Sequence, residues 1–242
     1  MGLKTAIRRL ANRFGYDILK IDPNLEIPYF QQALNRWKSF PLDFKSVIDV
    51  GASDGRWSRQ FAGAFADKRY LLVDANPVHE PALKKVCSAN PNWSYKRCAV
   101  GQKEGLFYFD GTDPLGGHLS EQQLGPTYKP CPVSTLDGLT QEFNLPQPIL
   151  VKLDTHGVEV PILEGAKQCL PHITGLAVEV YNFEGSAPQV PFWEFCRYLR
   201  QLNFRPLDLW DVLHRPKDKV LWQFDILFVR ADFPLLQDPR FR

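Results

Sequence analysis

"SVIDVGASDG", residues Ser46 to Gly55, decides how the rest of the chain is read. Its first five residues are mostly apolar and β-branched, the pattern of a buried strand, and two glycines then turn the chain sharply. "RWSRQFAGAF" continues as a helix, and "RYLLVDANP" is a second apolar strand that closes on Asp74. A strand, a tight turn, a helix and another apolar strand begin a mostly parallel sheet covered on both faces. Such sheets bind ligands beyond the carboxyl ends of their strands, which is where Gly51, Gly55 and Asp74 fall.

The alternation continues outward. "EPALKKVCSANP" predicts a helix, and "WSYKRCAVG" and "GLFYFDG" predict strands. Residues 110–134 are rich in Gly, Pro, Thr and Ser and predict a long loop of the kind that closes over a substrate. Strand "ILVKLD", helix "VEVPILEGAKQCL", strand "TGLAVEVYN" and helix "PFWEFCRYLRQL" come next. "FRPLDLWDV" and "VLWQFDILFVR", joined by the short turn "HRPKDK", predict an antiparallel pair at one edge. Before the sheet, "YFQQALNRWKSF" reads as a helix, so residues 1–40 are expected to form a helical extension and 41–242 the main domain.

Composition narrows the function. The net charge of +2 gives no electrostatic argument for nucleic acid, and no apolar run is long enough to cross a bilayer. Five irregularly spaced cysteines without a CxxC argue against a disulfide framework and against a zinc site, as expected of a cytoplasmic protein. Near the start, Leu3, Ile7, Leu10 and Phe14 recur at helical spacing among Lys4, Arg8, Arg9 and Arg13. A helix packed on the body of the protein is the expected meaning, and weak contact with an anionic membrane surface is the second.

Asp74 lies nineteen residues after Gly55, the usual distance for a carboxylate that takes the two ribose hydroxyls of a nucleoside. A dinucleotide fingerprint starting at Gly51 needs glycine at positions 53 and 56, which hold Ser53 and Arg56. Asp49 and Asp54 flank the loop and would repel a pyrophosphate. They suit the sulfonium and ammonium groups of S-adenosylmethionine, so a nicotinamide-dependent oxidoreductase is the weaker expectation.

"DVGASDGRWS", "VDANP", "STLDGL" and "VKLDTHGVEVPILEGA", in this order, resemble the FkbM family of S-adenosylmethionine-dependent methyltransferases. The resemblance implies a class I methyltransferase fold: a Rossmann-like three-layer α/β sandwich whose seven-stranded, mostly parallel sheet has an antiparallel last strand. It implies methyl transfer to a hydroxyl of a sugar, glycan or natural product. It places Asp49, Gly51, Ala52, Asp54 and Gly55 at the methionine end of the cofactor, Asp74 and Asn76 at ribose and adenine, and Cys98 to Val100, including Ala99, over the adenine. The family often carries Glu where this chain has His156.

Five further residues are candidates. Asp154, at the carboxyl end of a central strand, is placed to touch both cofactor and acceptor, and His156 has an intrinsic pKa suited to a general base. Either of the two could take the acceptor's proton. Glu159 falls in the first turn of the following helix, where a capping or orienting role competes with substrate contact. Glu179, an acid inside an apolar strand, must be paired or belong to the site, and His118 in "GGHLS" is a candidate to close over the acceptor. Asp154, His156 and Glu159 could all ligate a metal, but their spacing matches no metal motif and none is expected. A non-catalytic, cofactor-binding partner in glycan biosynthesis is the reading from outside enzymology. Oligomeric state is not legible.

Overall fold

A computed structural model describes residues 30–114, 116–184 and 189–240. The basic amphipathic pattern at residues 1–29 lies outside the described residues. The elements run α1 (Phe30–Trp37), β1 (Ser46–Val50), α2 (Arg56–Ala62), β2 (Arg69–Asp74), α3 (Glu80–Ser88), β3 (Trp93–Arg97), β4 (Ala99–Val100), β5 (Gly105–Asp110), β6 (His118–Ser120) and β7 (Tyr128–Ser134). They continue with α4 (Leu136–Glu142), β8 (Ile149–Leu153), α5 (Glu159–Glu164), β9 (Ile173–Tyr181), α6 (Phe192–Gln201), β10 (Phe204–His214) and β11 (Leu221–Arg230).

Seven strands form one sheet in the order β10-β11-β9-β8-β1-β2-β3. The pairs β2–β3, β1–β2, β1–β8 and β8–β9 are parallel, and β11 runs antiparallel to both β9 and β10. This is the expected mostly parallel sheet, with the last strand of the chain reversed and inserted beside the last of the parallel run.

The strands alternate sides, so two cores form. One face carries Ile48, Val50, Val151, Leu153 and Val178 against Leu136, Leu139, Ile162, Leu163 and Phe195 of α4, α5 and α6. The other carries Val47, Leu72, Leu150 and Leu227 against Phe30, Leu34, Trp37, Trp57, Phe61 and Leu83 of α1, α2 and α3. That is the three-layer sandwich. Helix α1 is part of the second core: Phe30 stacks on Trp57 at 5.4 Å, and Trp37 meets Trp210 edge-on at 4.8 Å.

Two local expectations are corrected. "WSYKRCAVG" is not one strand but β3 in the large sheet and β4 in a second sheet, with the Cys98 N–H donating to the Asp74 carbonyl at the break. Residues 110–134 are not a long loop. They contain β6 and all of β7, which with β5 and β4 form a four-stranded sheet, β4-β7-β5-β6, over a small core of Ala99, Cys131 and Val133. Proline at 130 and 132 masked the strand, because each removes a backbone donor. "STLDGL" gives α4, whose first turn is capped by the Thr135 side chain accepting from Gly138 N–H.

Candidate active site

A cleft opens at the carboxyl ends of β1, β2 and β8. Its walls include Val50, Gly51, Asp74, Asn76, Cys98 and Asp154 from the large sheet, and Phe109, His118 and Leu119 from the small one. The 110–134 region therefore does flank the site, as a strand-built wall.

Gly51 is where β1 leaves the sheet, at φ +77°. The sequence suggests that it clears space for a ligand; in the structure it clears space for the chain itself. A β-carbon there would fall 1.9 Å from the carbonyl oxygen of Asp154. The Asp154 N–H donates to the Val50 carbonyl (3.0 Å), so the ends of β1 and β8 are tied together. Gly55, at φ +78°, faces Leu72, Leu83 and Val86 and serves packing.

The acids of the glycine loop are spoken for. Asp49 is fully buried, accepts from Ser58 Oγ at 2.6 Å and sits 3.4 Å from Lys152 Nζ. Burial pushes its carboxyl up, against the opposing pull of Lys152 and Ser58. Asp54 is held by Arg56 and Arg59; burial opposes its ionisation, but the Arg56 hydrogen bonds outweigh that and hold it below the usual carboxylate range. Asp49, Ala52, Asp54 and Gly55 do not line the cleft, so an acidic loop facing the cofactor is not what the structure provides.

Asp74 does face the cleft. Its two oxygens accept from the backbone N–H groups of Ser53 (2.7 Å) and Asn76 (2.8 Å), which fixes the carboxylate at the strand end. Asn76 is committed elsewhere: its amide donates to Gly111 (3.1 Å) and its oxygen accepts from Val78 N–H (3.1 Å), joining the two sheets. Cys98, Ala99, Val100, Phe109 and Leu119 give the cleft an apolar slot. Burial pushes the Cys98 thiol up to about 12, so it is a neutral, packing group.

Lys152 had no assigned role in the sequence reading, although it stands two residues before Asp154. It is buried, donates to Asp154 Oδ2 (2.9 Å) and the Gly51 carbonyl (3.3 Å), and lies 5.8 Å above the Trp57 ring. Burial opposes its charge, but Asp154 and Asp49 overcome that and raise its pKa. For Asp154, burial likewise opposes ionisation, and Lys152 followed by His156 wins, holding the carboxyl below its ordinary value. The result is a fixed carboxylate with a third of its side chain open to the cleft.

His156 has a left-handed backbone, φ +55°, and Gly157 follows at φ +114°. This elbow aims the ring back at β9: Nδ1 lies 2.6 Å from the Tyr181 hydroxyl and 3.4 Å from Glu179 Oε1, and Nε2 lies 3.9 Å from Asp154 Oδ1. Tyr181 also donates to Glu179, whose other oxygen accepts from Gln223 at 2.5 Å. The Glu179 contact, helped by Asp154, pushes the imidazole up to about 9 against the effect of burial. That corrects the expectation of a near-neutral base: at neutral pH His156 is a cation and holds its proton.

Glu159 is buried and accepts from Gly157 N–H and Thr155 Oγ1, both at 3.0 Å. Burial raises its pKa. It locks the elbow that presents His156 and does not line the cleft, in keeping with the orienting alternative. His118 lines the cleft from β6, with Nδ1 3.0 Å from the Tyr128 hydroxyl. Trp210 is core, Trp193 is exposed, and Trp222 lies beside the site against Tyr181 at 6.0 Å.

Residues 49–206 match the methyltransferase FkbM domain. The chain belongs to the FkbM methyltransferase family. Membership makes it an S-adenosylmethionine-dependent methyltransferase and removes the oxidoreductase alternative. No curated protein matches the sequence. Among solved structures, a putative tRNA (m1A22) methyltransferase of Streptococcus pneumoniae in complex with S-adenosyl-L-methionine is similar at 10% identity and TM-score 0.48, covering 83% of this chain and 72% of that one. A SAM-dependent methyltransferase from Aquifex aeolicus gives 14%, 0.45, 95% and 100%, and a Burkholderia thailandensis 1,6-didemethyltoxoflavin-N1-methyltransferase gives 16%, 0.44, 84% and 76%. None of the three bears on what this FkbM methyltransferase acts on.

The cleft fits the family's cofactor on its own terms. Asp74 is fixed where two ribose hydroxyls could donate to it, and the apolar slot from Val73 to Leu119 suits a flat, uncharged base. Asp154 and His156 stand at the other end of the same cleft. Among the described residues no helix is long and apolar enough to cross a membrane.

Proposed function

We propose that this FkbM methyltransferase methylates a hydroxyl, on a sugar, glycan or natural-product acceptor, and that Asp154 receives the hydroxyl's hydrogen bond. The observation that carries this reading is the Asp154 carboxylate, fixed by Lys152 and open to the cleft. When bound, S-adenosylmethionine supplies a methyl carbon activated by its sulfonium. What the chain must add is alignment of the acceptor oxygen and a place for its proton. Asp154 is ionised at neutral pH and is the acceptor for that proton; its lowered pKa makes it a weak base, so alignment carries the larger share.

His156 stands as a cationic positioning residue, holding Asp154 from one side as Lys152 does from the other. His118 and Trp222, beside the cleft mouth, are proposed to contact the acceptor. Residues 41–242 are proposed to be the catalytic domain.

The test has two stages. Calorimetry with S-adenosylhomocysteine is expected to show binding to the purified protein. Methyl release from labelled S-adenosylmethionine is then measured against a panel of sugars, oligosaccharides and cell extracts. Transfer to nitrogen or carbon acceptors only, with none to hydroxyls, would overturn the reading.

A further inference from the structure

We propose that Asp154, His156 and Glu179 form a binding site for one divalent cation of the magnesium or manganese type. One ligand atom from each of the three lies within 4.8 Å of the others, close enough for side-chain rotation to bring all three onto a single ion. In the sequence Glu159 joins Asp154 and His156 as a possible ligand without matching any metal motif, but in the structure it is turned into the elbow behind them. The third donor comes instead from the neighbouring strand.

Strand register explains why a cation belongs there. Leu153 pairs with Val178, so Asp154 and Glu179 are the next residues along β8 and β9, and Glu179 pairs directly with Asp225 on β11. Three carboxylates thus cross three adjacent strands in one row, where like charges opposite each other are unfavourable. Lys152 serves the first of them and is shared with Asp49 on its far side. No lysine or arginine ion pair reaches Glu179 or Asp225 among the described residues, and the imidazole of His156 is the nearest positive partner of Glu179.

The donor set selects the kind of ion. Two carboxylate oxygens and one imidazole nitrogen, which gives up its proton as the ion binds, suit a hard or borderline cation that keeps water in its open positions, and not a thiolate-seeking one. Tyr181 and Gln223 already hold Glu179, and Tyr181 also holds the His156 ring, as outer partners commonly fix metal ligands. On the cleft side Asp154 and His156 remain partly open, which leaves room for an acceptor oxygen to meet the ion's charge. Use of the ion in catalysis rests on the methyl-transfer reading; the binding itself does not.

The experiment reads the metal alone. Protein stripped with a chelator and dialysed is titrated with Mn²⁺ at pH 7.5, with neither methyl donor nor acceptor, and free Mn²⁺ is followed by its electron paramagnetic resonance signal. One site per chain is expected, with Kd at or below about 1 mM. Glu179→Gln and His156→Ala should each weaken it by about 10-fold or more, while Glu121→Gln, a remote surface carboxylate, leaves it unchanged. Circular dichroism checks folding of each variant, and Asp154→Asn stands in for either that fails to fold. The absence of saturable binding, or binding that survives these substitutions, overturns the site. S-adenosylhomocysteine calorimetry on the same samples reports separately on the methyltransferase reading, so the two can fail independently.

Discussion

The position of a β-carbon on Gly51 lies 1.9 Å from the carbonyl oxygen of Asp154. No real side chain tolerates that approach, and the obstructing atom is backbone, which cannot rotate away. Gly51→Ala must therefore push β1 and β8 apart where the cleft begins, besides adopting a positive φ that alone costs about 1–2 kcal/mol. The expected result is a chain that loses more than about 2 kcal/mol in urea denaturation and binds S-adenosylhomocysteine at least about 10-fold more weakly. Gly55→Ala, whose nearest neighbour is the flexible end of Leu72 at 3.1 Å, should cost less.

Asp154→Asn keeps the shape of the side chain and removes its charge. It is expected to lower kcat by about 10²–10⁴-fold, the range for a positioned base, with a smaller change in KM. Full activity would remove Asp154 from the reaction. Lys152→Met tests the same carboxylate from behind: it leaves Asp49 and Asp154 without their shared cation and should cost about 3–5 kcal/mol of stability, as when one partner of a buried ion pair is removed.

The succession of strands and helices in the large sheet was legible because hydrophobic period and glycine turns are local signals, and Asp74, Asp154 and the antiparallel closing pair were read from them. The pairings across strands were not. Lys152 between Asp49 and Asp154, and Glu179 beside His156, depend on register, which no spacing along the chain encodes. For the same reason the acids near Gly51 looked available in sequence, when arginine and serine from α2 and lysine from β8 had already taken them. In β7, prolines hid a strand that β4 covers only beyond them, at Val133 and Ser134, so Pro130 and Pro132 have β5 as a neighbour on one side alone.

The histidine gives the protein a pH dependence whose sign follows from its contacts. His156 titrates at about 9 in the folded chain against an ordinary 6.5, so folding favours its proton. The stability it adds is fully present below pH 6.5 and disappears as pH rises through 9. With 40% of the side chain exposed, solvent screening reduces the contribution to about 1 kcal/mol. Urea midpoints measured with a chelator present should fall between pH 6.5 and 9.5, and the fall should be shallower in His156→Gln. An equal fall in both proteins would assign the effect to other groups.

Helix α1 is expected to be inseparable from the domain that follows it, because of what Trp37 touches. The indole is fully buried, packs edge-on against Phe30, Phe61 and Trp210, and donates to Asp208 Oδ2 at 2.7 Å. Arg36 grips the same carboxylate through two contacts of 2.9 Å, so one acid on β10 anchors two successive residues of the helix. Trp37→Ala leaves a cavity among three aromatic rings and should cost about 3–5 kcal/mol. Trp37→Phe keeps much of the packing but removes the indole hydrogen bond to Asp208, for a loss of about 1–2 kcal/mol. Arg36→Ala, whose side chain is 45% exposed, should cost less than either. Thermal melts of the three variants rank these terms, and a Trp37→Ala protein as stable as the parent would mean that α1 is an appendage and not a part of the core.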